Sequence, residues 1–471
     1  PGAGPGIFLA QVIRLGLRLG SAAVLARLLT PEAYGLQGMA AAVFGFLYMT
    51  RDCGIVPALQ QPVVTPATFA AMSRLGVFGG LALALLGAAL AVPTGWFFHE
   101  TDRVPWVLAA MSTSFVFAGA AAPAIGLLHR EQRARTVAFI ETAAFAAAAG
   151  AAVAAAAAGW DVWSLVLFSV VNEAAICALA WRACPWRPGS PEPGVPWWQM
   201  VRFSANFTGH NLATHARNIL DQVIVGRSAG VAALGLYGRA AQLAALPVQF
   251  GIGPFSAWAM ASLGRLRDEP AAYARFFRHL LNSLAHVAFA AAATCIAVPE
   301  LALTVLFGPS WIAAAPVVRW LGLALAFQPW LQAPAWLVHG PGDSRRLLYW
   351  SLTGAAAMAA AGTIAATFGP SAIALAAAGV FALQAILTPW LGPRGAGLEL
   401  GDWWQPAVVP LALHTGLGLL LVGVSHLVPA TWPAILQAGA MAVAATAYYS
   451  LAMGALPALR AELRQHVFLR R

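Results

Sequence analysis

The chain has 471 residues, of which 60% are hydrophobic and 9% charged. A soluble domain carries about 25% charged residues, so the polar coat is too thin for water and lipid must be the solvent for much of the surface. The net charge of +10 comes from 27 basic residues, all of them arginine; they are dispersed over short loops and a few helices, which excludes a nucleic-acid-binding patch.

Apolar stretches long enough to cross the hydrocarbon core recur along the whole chain. They are continuously apolar and rich in Ala and Leu rather than alternating, which excludes a β-barrel. The pattern predicts an all-α integral membrane protein with spans at about 7–29, 35–61, 67–92, 105–128, 137–158, 162–182, 203–226, 232–262, 281–306, 312–339, 347–368, 371–391, 406–427 and 433–456. Those near 7–29 and 203–226 are the least apolar, so a simple hydropathy scan can miss them. The first carries Arg14 and Arg18 and no cleavage site, so it reads as a span rather than a signal peptide. The start at Pro1 reads as the trace of a short trimmed piece. Cys53, Cys177, Cys184 and Cys295 form no CxxC pair and are expected to be small packing residues, not disulfides or metal ligands. No cofactor is expected: the chain has neither a P-loop nor a dinucleotide fingerprint.

Between the sixth and seventh spans, Pro185, Pro188, Pro191, Pro193 and Pro196 forbid a continuous helix. The expected organisation is an N-terminal lobe over 1–182, a Pro-rich cytoplasmic linker over 183–202 and a C-terminal lobe over 203–392. Two further spans follow over 393–456, then a basic tail over 457–471. An internal repeat supports two lobes: Arg27, Ala33, Gly35, Leu36 and Gly38 recur 200 residues later as Arg227, Ala233, Gly235, Leu236 and Gly238. Copies of six spans share topology and are related by an axis along the membrane normal. If both termini are cytoplasmic, the inner loops and tail hold 17 arginines and the outer loops only Arg103 and Arg227. That asymmetry satisfies the positive-inside rule.

Charge within the spans is the functional signal. Arg14, Arg18, Arg51, Arg217, Arg239 and Arg319 each cost about 2.5–3.5 kcal/mol at a lipid-facing helix centre. Together that approaches roughly 18 kcal/mol, more than the whole stability of a typical domain. As a set they are expected to face a watery cavity, although each one could instead snorkel or sit in an ion pair. Gln11, Arg14, Arg18 and Ser21 line one face of the first span. Asn206, His210, Thr214, Arg217 and Asp221 do the same in the seventh, widened by Asn211, His215, Asn218 and Gln222. Such a cationic cavity suits a diphosphate, which the two-pronged guanidinium recognises well. Asp52, Glu173 and Asp221 are candidates for a coupling ion; Asp52 adjoins Arg51, Asp221 lies four residues after Arg217, and Glu173 has no evident local partner. Trp96, Trp106, Trp197 and Trp198 read as interfacial anchors.

The run Leu29-Thr30-Pro31-Glu32-Ala33-Tyr34-Gly35, with Asp52-Cys53-Gly54 and Ala58-Leu59-Gln60 after it, resembles the N-terminal signature of bacterial polysaccharide-unit flippases of the Wzx type. A second match runs from Asp221 through Gly226-Arg227, Ala233 to Tyr237, Arg239, Pro247 and Pro254 to Ser262-Leu263-Gly264-Arg265. A third covers Pro299-Glu300, Phe307-Gly308, Trp311 and Ala315-Pro316. This family belongs to the multidrug/oligosaccharidyl-lipid/polysaccharide exporters. The resemblance implies a transporter, not an enzyme, with two six-helix lobes around a central cavity and two extra C-terminal helices, in the bacterial inner membrane. It implies an undecaprenyl-diphosphate-linked oligosaccharide as substrate, membrane lipids as surroundings, and a polysaccharide polymerase with its chain-length machinery as partners. The alternative within the superfamily is a lipid II flippase or a drug/cation antiporter, although a drug exporter should favour acids over arginines in its cavity. The lobes are expected to rock about Gly-rich turns near Gly35 and Gly235 and about Pro247 and Pro254.

Overall fold

The computed structural model describes the backbone of residues 4–51, 55–59, 65–186, 197–249, 255–337, 341–391 and 397–455. Among them every regular element is a helix. The Cα positions divide the chain into two units, Pro1–Gly235 and Leu236–Arg471.

The first unit begins with α1 (Gly4–Leu28) and α2 (Pro31–Tyr48). Thr30 caps α2 by accepting the Ala33 N–H at 3.3 Å, and Pro31 takes the first helical position, where a missing N–H costs nothing. After the short α3 (Ile55–Leu59), α4 (Pro66–Phe98) starts the same way, with Thr65 accepting the Thr68 N–H at 3.1 Å. A single break separates α5 (Val104–Ser112) from α6 (Ser114–Arg130); α7 (Ala134–Ala157), α8 (Val162–Ala183) and α9 (Trp197–Pro247) follow. Small residues let these helices approach closely, which replaces the hydrophobic drive that lipid cannot provide. A methyl at Gly76 or Gly119 would overlap the backbone of the opposing helix where α4 crosses α6. In α7, Ala144, Ala148, Ala152 and Ala155 form a buried stripe, and α7 packs on α8. Arg133 donates to the Ala183 carbonyl at 3.0 Å and so closes the end of α8.

The second unit continues from the end of α9 through α10 (Phe255–Arg265), α11 (Pro270–Ala297) and α12 (Pro299–Leu306). A 3-10 turn leads into α13 (Ala315–Ala326) and α14 (Gln328–Trp336). The rest is α15 (Pro341–Ala365), α16 (Pro370–Leu391), α17 (Leu400–Leu427) and α18 (Ala434–Ala455). Its core gathers Phe277, Leu281, Trp330, Trp336 and Trp403. Leu419 and Val443 are each 71% exposed on helices of span length, as suits a surface facing lipid.

Eleven helices among the described residues are long and apolar enough to cross a membrane, three fewer than the spans read from the sequence. In α2, Pro31, Glu32 and Gln37 dilute hydropathy; in α1 the side chains before Gly16 lie outside the described residues, which leaves too short a stretch to count. In α9 the expected seventh and eighth spans run on as one element, interrupted only at Gly230, whose φ of 84° and ψ of −173° are not helical. Gly35 and Gly235 are therefore helix-interior residues, not the expected flexible turns. Pro247 sits in the last turn of α9. Pro254, residues 187–196 of the linker and the basic tail lie outside the described residues, and α9 already begins at Trp197, inside the expected linker.

Candidate substrate cavity and buried carboxyl

Within the first unit, α2 and the stretch of α9 before Gly230 enclose a cavity of about 270 Å³. On α2, Gly38, Ala41, Ala42 and Gly45 lie on one helical face and make the space by their smallness. On α9, His215, Ile219, Gln222 and Val223 form the facing wall, and Phe98 of α4 completes it. His215 enters only because position 45 is glycine; a methyl there would overlap its Nε2. The ring lies edge-on to Phe46, with 5.3 Å between centroids, and Nε2 is buried with no hydrogen-bond partner among the described residues.

Tyr48 also lines this cavity. Its hydroxyl donates to Glu173 Oε1 at 3.1 Å, and the Asn172 amide donates to the same oxygen at 3.2 Å. Glu173 is 4% exposed, and no cation lies within ion-pair distance of it among the described residues. The Arg51 guanidinium lies 3.8 Å from the Tyr48 ring centroid, a cation–π contact. A buried carboxyl is thus connected to the cavity through one phenol, with an arginine stacked on that phenol. Sequence reading found Glu173 and Arg51 but missed Tyr48. The available signal was its place three residues before Arg51.

The other expected site residues do not all join this cluster. Arg18 is exposed and sits 5.8 Å from the Phe145 ring of α7, and Ser21 donates to the Arg18 carbonyl in its own helix at 3.2 Å. Arg217 donates to Asn218 Oδ1 at 3.3 Å, and Asp221 Oδ1 accepts the Gln222 N–H at 2.8 Å. In the second unit, Arg239 bonds Gln242 and packs near the rings of Phe307 and Trp311, at 5.6 and 5.9 Å. Arg319 is held by Glu300 in an ion pair of 2.6 Å. Asp52 and the side chains of Gln11, Arg14, Asn206, His210, Asn211 and Thr214 lie outside the described residues.

The second unit has its own polar ladder, which sequence reading did not anticipate. Arg278 of α11 pairs with Asp402 of α17 at 2.7 Å. One turn along, Asn282 donates to the Pro406 carbonyl at 3.1 Å. That carbonyl would normally accept the N–H of residue 410, but Pro410 has none. Farther along, His286 Nδ1 meets His414 Nε2 at 3.1 Å, and Tyr449 of α18 meets His414 Nδ1 at 3.1 Å. Tyr449 also borders an apolar groove of about 560 Å³, lined by Val287, Thr294, Leu417, Leu421 and Met441 among others.

Comparison with known proteins follows this geometry. The fold resembles "Lipid II flippase MurJ, inward closed conformation", with a TM-score of 0.74 over 94% of this chain and 98% of that one at 9% identity. It also resembles an inward-facing multidrug resistance MATE family transporter of the MOP superfamily, with a TM-score of 0.66 over 86% and 99% at 11% identity. In sequence, the chain is 24% identical over 211 residues to the teichuronic acid biosynthesis protein TuaB of Bacillus subtilis (strain 168). That match spans 44% of this chain and 43% of the relative. Residues 24–316 match the model of the family described as polysaccharide biosynthesis protein. The chain is therefore a member of the polysaccharide biosynthesis protein family, with a fold like that of these two transporters.

Proposed function

We propose that this chain is a flippase that carries an undecaprenyl-diphosphate-linked oligosaccharide repeat unit from the cytoplasmic to the periplasmic leaflet of the bacterial inner membrane, for surface polysaccharide synthesis. The observation that carries this reading is the cavity between α2 and α9, with its polar His215, Gln222 and Tyr48 and with Arg51 against Tyr48. A diphosphate and its first sugars need such a polar, partly cationic space to cross hydrocarbon. The lipid tail needs none and can stay in the hydrocarbon while the headgroup crosses. The lobes over 1–182 and 203–392 alternate access, joined by the 183–202 linker on the cytoplasmic side, where both termini also lie. Arg14, Arg18 and Arg217 complete the cationic lining as the cavity opens, and Arg239 is a further candidate ligand in the second unit. A polymerase with its chain-length machinery consumes the flipped unit.

Of the three candidate acids, Glu173 is the best placed to couple transport to an ion. It is buried, and Tyr48 connects it to the cavity wall. A proton bound there on one side and released on the other ties cavity opening to the proton gradient.

The test is reconstitution. Proteoliposomes are loaded with a lipid-linked oligosaccharide, and its arrival in the outer leaflet is read with a membrane-impermeant glycosidase. Flipping well above that of protein-free vesicles, sensitive to Arg51→Ala, is the expected result. Background-level flipping of every lipid-linked oligosaccharide offered, alongside export of organic cations, would overturn the reading in favour of a drug antiporter.

A further inference from the structure

The 200-residue repeat has a counterpart in atomic contact. In the first copy, helix begins at Pro31 after the cap Thr30; in the second, it resumes at Val231 after the non-helical Gly230. The two copies thus start their helices in the same register. Four residues into each lies a buried glycine, Gly35 and Gly235. A methyl at Gly35 would overlap the Val231 carbonyl, and one at Gly235 would overlap the Pro31 carbonyl. These contacts exchange under the repeat: 35 touches 231, and 235 touches 31. A Cβ at Gly235 would also stand 3.1 Å from the Gly35 nitrogen, so the two glycines meet at the crossing. One turn on, Leu234 presses on Gly38, where a Cβ would lie 3.2 Å from it, and Gly38 lines the cavity.

We infer that Gly35 and Gly235 form a paired clasp that closes the outer end of the cavity, and that both must lack a side chain for it to shut. The inference rests on the alternating-access reading and on the outer placement of the turns at 30 and 230. Helices that cross with backbone against backbone make a seal without water-sized gaps, and glycine Cα hydrogens aimed at carbonyl oxygens favour that approach. The clasp is two-fold in its chemistry, so the copies contribute equally to closure. Arg227 fastens the same end from outside, bonding His99 at 2.9 Å.

The experiment uses the full chain with Cys53, Cys177, Cys184 and Cys295 replaced by serine. Ala42, on the cavity wall, is changed to cysteine and probed in intact cells with a membrane-impermeant maleimide. The parent should label poorly. Gly35→Ala and Gly235→Ala should each raise labelling by about tenfold or more, because an overlap with backbone shifts the closed population by at least that factor. Gly150→Ala, with open space around it, should leave labelling low. Variants that misfold are bypassed by a second measurement on the parent glycines. Glu32→Cys with Ala232→Cys, placed one residue after Pro31 and Val231, should cross-link readily and keep Ala42→Cys shielded. Strong labelling of the parent, an effect of only one glycine, or labelling gained only in inverted vesicles would each overturn the clasp. None of these readouts needs a substrate. If they come out as expected while reconstituted flipping fails, the flippase reading falls and the clasp stands.

Discussion

Each unit buries a carboxyl group between helices distant in sequence, and the two are partnered in opposite ways. Asp402 accepts from Arg278 at 2.7 Å and from the Glu399 N–H at 2.8 Å, so charge and helix cap are settled at once. Among the described residues Glu173 receives only neutral donors, Tyr48 and Asn172, and Arg51 stacks on the tyrosine instead of bonding the carboxyl. A carboxylate with a fixed cation holds two helices together; one without has a charge state free to change. On the proposed function, the α11–α17 ladder serves stability and the Tyr48–Glu173 pair serves transport, and variants can break or sharpen that division.

The largest effect on stability is expected at the ladder. Arg278→Ala strands the 8% exposed Asp402 carboxylate and should cost about 3 kcal/mol, the low end for a broken buried pair because Arg278 itself is 40% exposed. Thermal unfolding in detergent measures the loss. Adding Asp402→Asn should recover much of it, since the asparagine still caps α17 and no buried charge remains. Stability unchanged by Arg278→Ala would remove the ladder's structural role.

Glu173→Gln should leave the melting temperature nearly unchanged, because the amide keeps an oxygen for Tyr48 and Asn172. Flipping should lose its response to a proton gradient, and its rate should fall by about 5- to 150-fold, the range of ordinary site–site coupling. Retention of a gradient response would move the coupling role to Asp52 or Asp221. A smaller loss is expected for Asn282→Ala. It orphans the Pro406 carbonyl, and an unmet buried acceptor costs about 1–3 kcal/mol. No change in transport per folded molecule should accompany it.

These pairs explain what sequence could and could not tell. The helical class, most spans and the repeat were legible because apolar runs and an ungapped register are local properties. The ninth span was read from 281, but α11 starts at Pro270; the thirteenth was read from 406, but α17 starts at Leu400. In both, charged residues looked like loop: Arg275 and Arg278 in one, Asp402 in the other. Arg278 and Asp402 neutralise each other across 124 positions, which no local pattern reveals. Tyr48 and Glu173, 125 positions apart, are a second case. His286 and His414 were passed over for the same reason, each being a single polar residue on an apolar face. In α9 only Gly230 leaves helical geometry, so the break is narrower than the gap left between the seventh and eighth spans.

The smallest effect is expected at Arg319, and it separates cations that carry substrate from cations that only balance acids. Charge within a span nominated Arg319 as a substrate ligand alongside Arg51. The two have different surroundings: Arg51 faces an aromatic ring beside the cavity, whereas Arg319 is held by Glu300 with both side chains about half exposed, at 47% and 46%. An exposed ion pair contributes about 0–1 kcal/mol, and Glu300 gains a few tenths more from its place in the first turn of α12. Arg319→Ala should therefore lower stability by no more than about 1 kcal/mol. Glu300→Ala should do about the same, and the double variant should cost little beyond either single one, since they share one interaction. Flipping by all three should stay within about twofold of the parent, whereas Arg51→Ala should not. If Arg319→Ala impairs flipping while Glu300→Ala does not, Arg319 acts on the substrate and the ion pair is only its resting partner. The line between structural and transporting charges would then have to be redrawn within the second unit.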